Sequence, residues 1–279
     1  MEVFFYTIKC KLWTEMKFSF FIILFLFIQL TTVGQNNFNS SAQSGGVGDC
    51  QATLSGIWSL NGNISGSTNI DRISLGISLE NKFGINELNN KMALIAIPTN
   101  SGVFGLSVQQ YGFKLYNENK IGLSFSKELS NTFNSGIKIN YYNTHIENLE
   151  NISFFSFEIG IQKDLNRQLI MGIHINNPIN FTENNRLNNI ISLGLLYKVN
   201  TKVNLYTEGE NSDYREISVK SGLEYEIIER MFLRTGYNSK SNKNTFGFSY
   251  SYKKYSIDIA TYHHETLGFS SQFSLSTSF

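Results

Sequence analysis

The sequence predicts an all-β fold: a transmembrane antiparallel β-barrel of about 14 strands with a short N-terminal plug. Three observations predict it. From 188 to 279 the chain runs in short segments where apolar and polar residues alternate, broken by tight turns. In the last segment Phe273, Leu275 and Phe279 fall on one face, and Gln272, Ser274, Ser276 and Ser278 on the other, as the period of two in a strand dictates. After position 34 there is no apolar run of the roughly 20 residues a spanning helix requires. The connections, finally, alternate between short and long, and outer-membrane barrels have short periplasmic turns and longer outer loops.

Bulk properties agree. A mean hydropathy of -0.16 over 279 residues looks soluble, but half of each barrel strand faces water, so the average stays near neutral. The formal charge is +1. Loss of a leader would remove Lys9, Lys11, Lys17, Glu2 and Glu15 and bring the balance to zero. No basic field exists to hold nucleic acid. Of the cysteines Cys10 and Cys50, only Cys50 would survive such a cut, leaving no internal disulfide.

In chain order, residues 1–34 read as a leader and signal peptide. Met16-Lys17 opens a better start than Met1, an apolar core runs over 18–30, and Thr32-Val33-Gly34 offers small residues before a cut at Gln35. Residues 35–69 differ in kind: they are rich in Gly, Ser and Asn, yet carry Trp58 with Leu54, Ile57 and Leu60. Glycine permits an irregular backbone in a confined space, so this segment is expected as a plug, and 70–279 as the barrel. Strands are expected at 72–82, 91–98, 103–112, 120–129, 132–143, 153–164, 169–176, 189–199, 202–210, 217–226, 232–238, 244–252, 255–263 and 271–279. The longer loops fall at 83–90, 113–119, 144–152, 177–188, 211–216, 239–243 and 264–270. Tyr250, Tyr252 and Tyr255 at one rim, and Tyr111, Phe113, Tyr141, Tyr142, Tyr262 and Phe269 at the other, read as interfacial girdles.

Ile191/Leu193/Leu195/Tyr197, Phe155/Phe157/Ile159/Ile161 and Phe246/Phe248/Tyr250 should face lipid. The opposite faces send Lys138, Glu158, His174, Glu208, Lys220, Glu224, Arg234 and Asp258 into the lumen. Both signs occur, so a neutralising network tying wall to plug is expected rather than an ion-selective ring. Gly76, Gly105, Gly122, Gly160, Gly172, Gly194, Gly222 and Gly247 recur at inward positions and would let the plug lie close to the wall. Strand 91–98 is apolar on both faces, fit to line a hydrophobic pocket or to touch the plug. The four histidines form no HExxH motif and no Cys/His cluster, so no metal, cofactor or catalytic group is expected. Phe273, Leu275 and the terminal Phe279 read as a signal for the barrel-assembly machinery.

Ala42-Gln43-Ser44-Gly45-Gly46-Val47-Gly48, followed by Trp58-Ser59-Leu60-Asn61-Gly62-Asn63-Ile64-Ser65-Gly66, resembles the amino-terminal motif of FadL-like outer-membrane barrels. The W-S-x-x-N-type form is nearest to the PorV/PorQ family of the type IX secretion system. Gln43 stands where an Arg is common, Ile64-Ser65 replaces Pro-Ala, and Thr68 stands where Leu is usual. The resemblance implies a hatch inside a fourteen-stranded barrel in the outer membrane of a Gram-negative bacterium. Gly45, Gly46, Gly48, Trp58, Asn63 and Gly66 would form that hatch. It also implies an accessory role that binds secreted proteins or the secretion apparatus. The alternatives are a FadL-like channel for hydrophobic small molecules and a purely structural barrel.

Overall fold

The computed structural model describes residue 38 and residues 41–178, 189–212, 216–264 and 266–279. The expected leader, its Met16 start and the cut before Gln35 lie outside the described residues. Fourteen strands close into a barrel. They are β1 (Ser74–Asn81), β2 (Asn89–Thr99), β3 (Gly102–Gly112), β4 (Tyr116–Ser130), β5 (Phe133–Ile146), β6 (Ile152–Asp164) and β7 (Leu169–Asn176), then β8 (Ile190–Lys198), β9 (Val203–Ser212), β10 (Glu216–Ile228), β11 (Met231–Asn238), β12 (Lys243–Tyr252), β13 (Tyr255–His264) and β14 (Gly268–Ser278). Each pairs antiparallel with the next, and β14 returns to β1 through Gly76↔Ser276 and Ile77↔Leu275. Closure leaves no strand edge, so the wall's backbone groups are paired within it, as a hydrocarbon surrounding demands.

The period of two fixes the faces. Along β1, Ser74, Gly76, Ser78 and Glu80 turn inward, while Leu75, Ile77 and Leu79 turn outward. Ile137 and Phe155 stand 60% and 55% exposed, a surface that only a lipid surrounding would cover. The expected lipid-facing sets all lie on this outer face, with Ile161 and Phe248 half-buried among their neighbours. Tyr250, Tyr252, Tyr255 and Phe279 are exposed at the short-turn rim. There Lys254 Nζ sits 4.4 Å from the Phe279 ring centroid.

Two expectations need correction. Tyr111, Tyr142 and Tyr262 are not part of an outer girdle; all three are buried on the inward face. Parity requires it, since Tyr142 follows the outward Tyr141 and Tyr262 shares its face with Asp258. The outer loops are also shorter than expected, because strands continue past the apolar stretch. β4 starts at Tyr116 and pairs Tyr116↔Ile146 with β5. The connections shrink to 113–115 and 147–151. Hydropathy marks the length in lipid, whereas backbone pairing continues wherever side chains such as Asn117, Asn119 and Asn143 can bond along it. Most of the loop expected at 177–188 lies outside the described residues. At the other rim the turns are tight: Asn166 Oδ1 accepts from Gln168 N and Leu169 N, and Asn200 Oδ1 from Lys202 N and Val203 N, the bonding that makes Asn a turn former.

The segment after residue 40 lies within the ring. It holds one α-helical turn, α1 (Ala42–Gly46), and two 3-10 turns, η1 (Ile57–Asn61) and η2 (Ile64–Asn69). The hydroxyl of Ser41 caps α1 by accepting from Ser44 N. Glycines and a left-handed Gly48 (φ 74°) stop it after one turn. α1 faces β12–β14, η1 faces β1–β3 and η2 faces β3–β6. Plug and wall belong to one compact unit, Asn36–Phe279.

Candidate functional site: the plug and its seat

At several points the interior of the wall is bare where the plug touches it. Three pairs of glycines face each other across neighbouring strands: Gly136↔Gly160, Gly172↔Gly194 and Gly222↔Gly236. Each pair is filled by one plug segment. Ile64 Cγ2 lies 2.9 Å from where a Gly136 Cβ would stand, and the Asn63 side chain fills the space at Gly160. Ala52 occupies the niche of Gly172 and Gly194, while Val47 and Gly48 occupy that of Gly222 and Gly236. A Cβ on Gly247 would stand 2.9 Å from the Cα of Gly46, and one on Gly76 would stand 3.1 Å from Trp58 Cη2. Of the inward glycines read from sequence, Gly105 lies against Leu60, but Gly122 makes room for Lys138 and Asn140 instead of the plug. Gly136 and Gly236 were missed by the sequence reading, though both share the parity of their inward neighbours.

The expected plug residues play different parts. Gly45 abuts the Gln272 amide, and Gly48 lies against the backbone of Ser221 and Tyr237. Gly66 is internal to the plug, packed on the carbonyl of Leu54 and accepting from Gly56 N at 3.0 Å. Asn63 is the hinge pin: its Nδ2 donates to Ala52 O within the plug and to Ile161 O and Ile173 O on the wall, at 2.6, 3.0 and 3.2 Å. Gln162, which the sequence reading did not single out, donates to Ala52 O and Leu54 O. On the side of β1–β3, Leu54, Ile57, Trp58, Leu60 and Ile70 pack with Met92, Leu94, Ala96 and Val103. The apolar inward face of β2 is therefore plug contact. Leu60 and Leu94 are each 1% exposed, worth about 2 kcal/mol apiece.

The lumen charges form separate clusters, not one network. Around Glu158 stand Lys120 (3.0 Å), Lys138 (3.9 Å) and His174 (3.1 Å). Two lysines here share one carboxylate, and Lys138 Nζ directs its charge at a plug carbonyl, Leu60 O, at 2.7 Å. The opposite imbalance occurs at β9–β10, where Lys220 bridges Glu208 and Glu210 at 2.8 and 2.6 Å. There Glu208 Oε2 accepts from Gln51 N and Ala52 N, both at 2.7 Å. Surplus cation thus meets a plug carbonyl, and surplus anion meets plug N–H groups, the charge-assisted kind of hydrogen bond. Near the short turns Arg234 joins Glu224 (2.7 Å) and Asp258 (3.0 Å). A fourth contact, Lys243 with Asp49 of the plug, had no sequence signal beyond strand parity.

Burial, and secondarily the carboxylate of Glu208, pushes the Cys50 thiol well above its ordinary range. Cys50 is a free, buried cysteine. Phe273 and Phe279 are exposed on the outer face and rim, and Leu275 lies between them half-buried. Among the described residues no group of His, Cys, Asp and Glu could hold a metal ion.

No protein-family model matches the sequence, and no curated protein matches it. Solved structures do. The toluene transporter TbuX of Ralstonia pickettii is similar with a TM-score of 0.65 at 12% identity, over 88% of this chain and 99% of that one. The toluene transporter TodX of Pseudomonas putida gives 0.66 at 12%, over 88% and 98%. A Pseudomonas aeruginosa FadL homologue gives 0.63 at 10%, over 86% and 98%. The chain has a FadL-like barrel fold.

Proposed function

We propose that this chain is an outer-membrane channel for hydrophobic small molecules, with residues 41–70 as its gate. The observation that carries this reading is the apolar seam between η1 and β1–β3. It is the larger of the two apolar clusters of the described interior, and it runs between plug and wall rather than through the charged lumen. The fold adds support, since the barrels it resembles include transporters of toluene. Cargo would pass by displacing η1, not by filling a preformed pore.

Uptake of radiolabelled toluene by cells lacking a hydrocarbon channel of their own tests this. Cells with the inserted barrel should exceed the empty vector several-fold, and Leu94→Glu, which charges the seam, should abolish the gain. Uptake equal to the vector with insertion intact would sink the proposal. A second reading, an accessory barrel of PorV/PorQ type for exported proteins, is favoured by the ionic fastening of the plug through Lys138 and Glu208. Loss of surface-exported proteins on deletion of the gene, with hydrocarbon uptake unchanged, would support it.

A further inference from the structure

On the short-turn side of the plug the interior opens into a chamber of about 300 Å³, room for roughly ten waters at their liquid volume. It adjoins the apolar seam, whose Ile57 and Trp58 form part of its lining. Its chemistry is different. Arg234 spends Nε on Glu224 Oε2 and Nη1 on Asp258 Oδ1; among the described residues its Nη2 and the second oxygen of Asp258 carry no hydrogen bond. Ser276 and Gln43 line the same space, and their side chains likewise make no hydrogen bond among the described residues. Trp58 and Phe232 supply apolar surface beside these groups.

A guanidinium nitrogen next to a carboxylate oxygen presents a donor and an acceptor together. Adjacent hydroxyls of a sugar answer both, because each hydroxyl donates and accepts. The aromatic surface suits the C–H face of the same ring. A hydrocarbon would strip water from these groups and return no bond. An anion would meet two carboxylates against one guanidinium. We infer that this chamber binds a neutral polyhydroxylated solute of monosaccharide size.

The full chain, folded in detergent and carrying Trp13→Phe so that Trp58 is its only tryptophan, would be titrated with D-glucose, D-galactose and, as apolar probe, toluene. The expected result is a saturable change in Trp58 emission with at least one sugar. Ser276→Phe fills the chamber from β14 without touching the ion pairs and should weaken that response at least tenfold; Ser251→Leu, from β12, serves as a second filling variant should the first misfold. The inference is overturned if neither sugar gives a saturable change, or if the response survives both filling variants. It is equally overturned if toluene alone gives a response that filling abolishes. That last result would assign the chamber to the hydrophobic route, while failed toluene uptake in cells would leave the sugar response untouched.

Discussion

Gly172 on β7 and Gly194 on β8 face each other across the sheet, and Ala52 of the plug occupies the space a side chain on either would take. A wall built this way is matched to its plug. Gly172→Val would drive methyl groups into the Ala52 carbonyl, an overpacking that costs about 1–3 kcal/mol. Gly209, on the outward face of β9, has nothing within 4 Å of its would-be Cβ, so Gly209→Val should stay within about 0.5 kcal/mol. Urea midpoints of the heat-modifiable band measure both. Equal losses would mean that strand propensity, not the plug, sets the cost.

Glu208 provides a second handle. Glu208→Ala removes the acceptor of two plug N–H groups and half the partnership of a buried lysine. Hydrogen bonds to a charged acceptor contribute about 1.5–3 kcal/mol each. The plug should loosen while Lys220 keeps Glu210. Glu210→Ala leaves the plug bonds in place and serves as the comparison. Maleimide labelling of Cys50 in the folded barrel is the readout, rising for the first variant and not the second.

The pH dependence of stability isolates Cys50 itself. Its thiol is raised by burial, whereas in the unfolded chain a thiol titrates near about 8.5. Above that pH the unfolded chain sheds a proton that the folded chain keeps. Stability is therefore complete below about pH 8.5 and falls above it, by up to about 1.4 kcal/mol per pH unit. Other groups titrate there too, so the measurement is the difference between the parent and Cys50→Ala, both with Cys10→Ser. A difference that stays flat from neutral to about pH 10 would place the thiol in water.

Much of this architecture was legible because strand parity is a local code. The strand order, the outward faces and the inward charges all follow from alternation, and 169–176 matches β7 at both ends. Two kinds of information were not local. Where a strand stops outside the lipid depends on backbone pairing, as at Tyr116↔Ile146, which hydropathy does not encode. Which inward group meets which plug atom depends on register across several strands. Lys138 reaching Leu60 O, and Asn63 reaching both Ile161 and Ile173, are contacts over 78 and about 100 positions of chain that no short-range pattern marks. Trp58 was legible as bulk; that it would sit on Gly76 was not.

Phe279 ends the wall. Its N–H donates to Ile73 O at 2.9 Å, just before β1, and its ring lies under Lys254. Deleting it removes the last bond across the β14–β1 closure together with an aromatic anchor at the short-turn rim. Inserted protein should fall several-fold with synthesis unchanged, read by fractionation and heat-modifiable mobility. Phe279→Tyr keeps both the bond and the ring and should restore insertion. Failure of the tyrosine variant, alongside the deletion, would show that a phenylalanine is itself required and not the anchoring geometry.

The plug also decides what the barrel conducts. A fourteen-stranded ring is wider than the small barrels whose side chains fill them and narrower than open porins, so its bore needs an occupant. Here α1, η1 and η2 supply one, seated on paired glycines and fastened to β5 by Lys138 and to β9 by Glu208. The clusters left around it carry both signs, and each lysine of the Glu158 and Glu208 groups is already engaged. Intact protein in a planar bilayer should therefore show little steady ion current. Removing residues 41–70 should open a conductance like that of a water-filled pore. Glu208→Ala should fall between, with brief openings as the Ala52 segment leaves its niche. A large steady current from the intact chain would mean that the plug does not span the bore, and the apolar seam would then lose its place as the route past it.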